Sequence, residues 1–195
     1  MQGKFKVLEK LIAYSYLGEK TIGSGTILIG RAPHIAPQAW LHSFFDPLTE
    51  NEIQLLEGLL TTVIPDQYKE FLMVTNGLGI FNTTISLFGM RRNYGRSVDA
   101  VWQPFDIVIP NKNEKPPNAK INIFIIGSYD WDGSYLYIDS KTNKVHMCER
   151  GDSTSLYEWS DFYTMLESEI KRLVSLHDKA GKELFTGEST LPTDY

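Results

Sequence analysis

The sequence predicts an α+β protein of one domain: a largely antiparallel or mixed central sheet packed by helices. Three observations lead there. Helical patterns come first, β-like runs follow, and one helical pattern closes the chain. The β-like runs of the second half are joined by turns too short for crossovers, so neighbouring strands pair antiparallel. The 195 residues, 42% of them hydrophobic, supply one substantial core rather than two.

The elements follow in order. Phe5, Leu8, Ile12 and Tyr16 recur at helical spacing, which predicts an amphipathic helix over 4–17, ended by Gly18. Residues 21–30 are glycine-rich around a short β-like run at 26–29. Residues 31–46, with Pro33 and Pro37, read as an irregular connector whose Trp40, Phe44 and Phe45 anchor it to the core. Thr49 and Glu52 make a capping box for a short helix carrying Ile53, Leu55, Leu56, Leu59 and Leu60. The stretch 64–77 organises the rest. Pro65 suits a first helical position, and Asp66 and Glu70 lie toward the positive end of the helix dipole. Tyr68, Phe71, Leu72 and Thr75 form one face, and Asn76-Gly77 stops the helix. Only residues 61–64 separate the two helices, so they form a hairpin.

Residues 81–89 are β-like, with Ile85, Leu87 and Phe88. A loop with Arg91, Arg92, Arg96 and Trp102 follows, then a polar, proline-rich surface loop at 110–117. Residues 121–126 form a buried strand and 127–133 a turn. Residues 134–139 alternate, Tyr135 and Tyr137 on one face, Leu136 and Ile138 on the other. Residues 144–149 return as the hairpin partner, and 151–155 form a loop. Ser160 or a neighbour caps a last helix lined by Phe162, Leu166, Ile170, Leu173 and Val174 and ended by Gly181. The organisation expected is an N-terminal extension, 1–47, packed on a domain at 48–180, with a polar, frayed tail at 181–195.

A net charge of −5 and an acidic pI turn the expectation from nucleic acid toward protein or small-molecule partners. The single Cys148 excludes an intrachain disulfide. Lys4, Lys6, Glu9 and Lys10 leave no room for a secretory signal. The uncharged run 71–90 has the length of a membrane span, but its Asn, Gly, Thr and Ser residues belong to a turn. The expectation is a cytoplasmic protein that does not enter the membrane.

Few residue patterns carry chemistry. Asp130-Trp131-Asp132-Gly133 reads first as a turn or a partner contact. As a calcium loop it lacks the further oxygens and the downstream Glu. His146-Met147-Cys148 lacks a second Cys for zinc, and His34, His42 and His177 are far away in sequence. Gly23-Ser24-Gly25 lacks the Lys of a phosphate loop. Arg91, Arg92 and Arg96 beside Tyr94 and Trp102 have the composition of an RNA contact, but the overall acidity favours arginines paired to acids. Between 127 and 170 nine acids face three bases, an imbalance that suits a basic partner or merely a solvated surface.

Three segments together resemble the SUKH superfamily, which groups bacterial immunity proteins with a fungal cell-wall-synthesis regulator (the Smi-one/Knr-four-like domain). They are the helix from Ile64 closing in Asn76-Gly77, the strand–turn–strand from Ile126 to Asp139, and the helix after Tyr157-Glu158-Trp159. The likeness covers roughly 49–174 and leaves the first 47 residues without a counterpart. It implies an α+β fold with a mixed sheet and a non-enzymatic role. That role is most often to bind and neutralise a protein toxin, commonly a basic nuclease. It implies no catalytic residue, no cofactor, no metal and no direct contact with nucleic acid. Asp130, Trp131, Asp132, Tyr135, Tyr137 and Trp159 are the expected partner contacts, since aromatics beside acids make strong anchors. The alternatives are a regulatory or scaffold module binding an endogenous protein, and a metal-dependent enzyme built on Asp130 and Asp132.

Overall fold

The computed structural model describes residues 3–95 and 101–192. Nine strands among them form one sheet in strict chain order, every neighbouring pair antiparallel. They are β1 (Glu19–Thr21), β2 (Ile27–Arg31), β3 (Trp40–Phe44), β4 (Leu78–Ile80), β5 (Ile85–Leu87), β6 (Ile123–Tyr129), β7 (Tyr135–Asp139), β8 (Val145–Glu149) and β9 (Asp152–Trp159). The α-helices are α1 (Glu9–Ile12), α2 (Glu50–Leu60), α3 (Asp66–Leu72), α4 (Val108–Lys112) and α5 (Phe162–Leu176). This is the α+β meander that the sequence predicts.

α2 opens on the capping box: Thr49 Oγ1 accepts from Glu52 N–H, and the Glu52 carboxylate accepts from Thr49 N–H. Glu57 ties α2 to α3, pairing with Lys69 at 2.9 Å and accepting from Ile64 N–H at 3.0 Å. Pro65 stands one place earlier than expected, as the cap residue, its carbonyl accepting from Tyr68 and Lys69 N–H. α3 ends at Leu72, and a turn carries the chain to Gly77. Asn76 does more than stop a helix. Its amide accepts from Met90 N–H (2.7 Å) and donates to Met90 C=O (2.8 Å), as an added strand would. Gly77 is left-handed (φ +88), and a Cβ there would lie 2.6 Å from Leu87 O.

Tyr68 and Phe71 of α3 pack on Phe162 of α5, and Tyr68 reaches Phe124 of β6. Pairing places Phe124, Ile138, Val145 and Trp159 in one row across β6–β9. The opposite face, with Ile125, Tyr135 and Tyr137, is covered by the chain running from α4 into β6. There Asn111 holds both backbone groups of Ile125, and Glu114 and Asn118 meet Tyr135 and Ser153. The 110–117 stretch is therefore a partly buried cover that begins in α4, not a surface loop.

Other departures have physical reasons. In the N-terminal segment the buried residues are Phe5, Leu8, Leu11 and Tyr14, while Tyr16 is 64% exposed. Their spacing of three is that of the 3₁₀ turns at Gly3–Leu8 and Ala13–Leu17, with α1 between. The connector at 31–46 contains β3, in which Trp40, Leu41 and His42 are all buried, so no alternation marks it in the sequence. β1–β3 thus belong to the same sheet as the rest. Past the turn residue Gly151, the expected loop at 151–155 lies in β9, an edge strand whose register slips between Met147 and Glu149 of β8 and whose exposed residues show no alternation. The tail folds back as far as it is described: Leu184 N–H donates to Leu176 O and Asp178 N–H to Lys182 O. No helix among the described residues is long and apolar enough to cross a membrane.

Candidate partner-binding surface

The β6–β7 connection is a tight, well-tied turn. Tyr129 N–H donates to Ser134 O. Asp132 accepts from Ser134 N–H at 2.9 Å and Ser134 Oγ at 2.7 Å, the local bonding that makes Asp a turn residue. Gly133 takes the left-handed conformation (φ +77). Asp130 N–H donates to Thr84 O, fixing this turn to the β4–β5 turn. Trp131 at its tip is 49% exposed, flanked by two exposed carboxylates.

The neighbouring β4–β5 turn is strained. Phe81, Asn82 and Thr83 all have positive φ (45°, 50° and 73°). Packing holds it: Phe81 stacks on His177 at 3.8 Å and meets His42 at 4.7 Å, and its N–H donates to His42 Nδ1. Asn82 N–H donates to Leu41 O. His42 is wholly buried, its Nε2 has no partner among the described residues, and desolvation, aided by His177, pushes it down to about 3. Asp130, Asn82, His34 and His177 line a cavity of about 550 Å³ beside the turn.

The six expected contact residues do not share one surface. Asp130, Trp131 and Asp132 stand together in the turn. Tyr135 and Tyr137 are core rings. The Tyr135 hydroxyl donates to Glu114 at 3.3 Å under the Arg150 guanidinium, and the Tyr137 hydroxyl donates to Ser153 O at 3.1 Å. Trp159 is buried on the other face of the sheet, against Tyr157. Period-two alternation separated the two faces of β7, but the cover over the Tyr135 face comes from residues remote in sequence.

The acidity of 127–170 is also less free than the residue count implies. Lys171 and Arg172, just past that window, pair with Glu167 and Glu169, and Glu169 is buried under the Tyr129 hydroxyl. Glu158 pairs with Lys144, Asp161 caps α5 through Thr164 N–H, and Asp139 and Asp152 bond to Asn122 and Asn118. Asp130 and Glu149 form no ion pair among the described residues.

Of the arginines read as a possible RNA contact, Arg92 is a clamp. It forks onto Glu52 at 2.7 and 3.1 Å and bonds Asp46 Oδ2 and the carbonyls of Asp46 and Pro47. That hydrogen bond lowers Glu52 to about 2. Arg91 lies over Tyr94 at 5.6 Å, and Arg96 falls outside the described residues. The clamp floors a cleft of about 640 Å³ whose walls include Ser24, Phe45 and Trp102. Sequence reasoning missed this cleft because its walls come from segments far apart along the chain. Cys148 is buried and its thiol is pushed up to about 12 by burial. Among the described residues no three His, Cys, Asp or Glu side chains are placed to hold an ion.

An antiparallel meander with helices against it and a rigid acidic-aromatic turn defines a single-domain α+β protein of the kind that presents a fixed surface. Residues 47–168 match the model of the SMI1 / KNR4 family (SUKH-1), and the chain belongs to that family. The match runs from the Arg92-clamped start of α2 to the middle of α5 and takes in the Asp130–Gly133 turn, while β1–β3 lie before it. A search of curated proteins gives no match. Membership supports an immunity-like or regulatory domain that works by binding a partner protein.

Proposed function

We propose that the protein is an immunity protein that binds a toxin of a bacterial polymorphic or contact-dependent system, a basic nuclease, and blocks it without turnover. The observation that carries this reading is the Asp130–Gly133 turn. It offers an exposed indole between two carboxylates on a backbone that the Thr84 bond and the Asp132–Ser134 bonds hold still. A rigid aromatic anchor loses little entropy on binding, and flanking carboxylates steer a basic surface toward it. No side chain of this chain need make or break a bond in such a blockade. The family match supports the reading.

The test is calorimetric titration with the toxin domain encoded beside the gene. The native protein binds, and Trp131→Ala weakens binding at least tenfold, roughly 1.4 kcal/mol or more. Unchanged affinity in that variant would remove the turn from the interface. Capture of an endogenous protein in place of any toxin would favour a regulatory module.

A further inference from the structure

Pairing places Ser43, Gly79 and Ser86, all small, in one row across β3–β5. They line a cavity of about 220 Å³ bounded by the strap 102–105, with Trp102 and Phe105 among its walls. The strap is tied at both ends: Trp102 O accepts from Thr26 Oγ1 at 3.0 Å, and Phe105 O accepts from Gly89 N–H at 3.0 Å. Those ties hold the cavity open. Ser86 is 4% exposed, and its hydroxyl has no hydrogen bond among the described residues, yet its oxygen stays open to the cavity. A buried hydroxyl without a partner is unfavourable, so its complement is a group from outside the chain. A Cβ on Gly79 would make only ordinary contacts, from 3.6 Å to Ser43, and its φ is not positive. The chain's own packing does not require glycine there; the cavity does.

We infer that this cavity takes the ring of a tryptophan or tyrosine presented by a protein partner, its polar edge bonded to the Ser86 hydroxyl. At about 220 Å³ the space lies below the roughly 300–1,000 Å³ of sites for whole small molecules, and it suits one large side chain. Trp102 and Phe105 offer faces and edges to an aromatic guest. An aliphatic side chain would leave Ser86 unpaired, and Arg91, which also lines the cavity, opposes a cationic one. An indole N–H donates to the serine oxygen, and a phenol can donate or accept. The partner's neighbouring residues have room in the adjoining cleft above Arg92, which shares Phe45 and Trp102 with the cavity. Thr83 lines the cavity and Thr84 O holds Asp130 N–H, so the cavity and the Asp130–Gly133 turn meet at the β4–β5 turn. The inference rests on the chain binding a partner protein, not on that partner being a toxin.

Titration of the full chain with N-acetyl-tryptophanamide and N-acetyl-tyrosinamide, followed by amide NMR, tests it. Saturable shifts at Gly79, Ser86 and Phe105 are expected, with N-acetyl-leucinamide and adenosine at least tenfold weaker. Ser86→Ala weakens both aromatic probes severalfold and does not lower the thermal midpoint, because the hydroxyl has no bond inside the described chain to lose. Gly79→Val fills the space and abolishes the shifts. No saturable shift, equal binding of the leucine probe, a preference for adenosine, or indifference to Ser86→Ala overturns the proposal. The probes are read with no toxin present, so their failure leaves the immunity reading standing, and a failed toxin titration leaves the cavity standing.

Discussion

The hydroxyl of Tyr68 sits at the centre of the core and faces two carbonyl oxygens, Phe88 at 2.5 Å and Ile126 at 2.9 Å. Helical spacing marked Tyr68 as buried. It did not show that the hydroxyl serves two strands, because residues 88 and 126 come close only through the sheet. Tyr68→Phe removes that donor from the buried core: Phe88 O loses its bond, while Ile126 O keeps the one from Phe88 N–H at 2.8 Å. The expected cost is about 1–3 kcal/mol, read as a lower urea midpoint at unchanged m. A cost below a few tenths of a kcal/mol would mean that the Phe88 oxygen is satisfied by other means. Asn76 teaches the same lesson: its preference for helix ends was visible in the sequence, but its bonds to Met90 were not.

At the scale of elements, those with local signals were readable and those made by pairing were not. The α2 capping box, the α3 face and the β6–β7–β8 hairpins all follow from neighbouring residues. β1, β3 and β9 carry no such pattern; the first two exist because each edge offers the next strand its backbone groups. The family match begins at residue 47, after β3, yet the folded unit begins earlier. Removing residues 1–46 would bare the edge of β4 and strip Phe5, Leu8, Leu11, Ile29 and Leu41 from the core. Such a chain is expected to lose cooperative unfolding and to aggregate, seen by circular dichroism melts and light scattering. A soluble fragment with a sharp transition would show that β1–β3 are ornamental.

For the whole molecule, stability should fall with acid earlier than carboxylates alone would bring about. His42 titrates at about 3 when folded against an ordinary value near 6.5, so the unfolded chain binds the extra proton in between. Its contribution is complete above about pH 6.5 and declines as pH falls toward 3, by about 1.4 kcal/mol per pH unit at steepest. Lowered His177 acts in the same direction, and Glu52, held at about 2, adds to the loss only below its ordinary range near 4.5. Urea titrations at pH 7, 6 and 5 check this: equal stability at all three would mean that His42 is not buried in its neutral form.

The strict chain order of the sheet bears on how the protein is made. A ribosome delivers strands in the sequence in which they pair, so each can dock on the one before it without waiting for distant chain. The N-terminal segment is different. Phe5 rests on Phe71 of α3 and on Tyr163 of α5, and Lys4 pairs with Glu70 and reaches the same tyrosine ring, so this segment's seat is complete only once α5 has been made. Until then its apolar side is covered only in part, from α3, and a chaperone that shields such a half-seated segment would be displaced by α5.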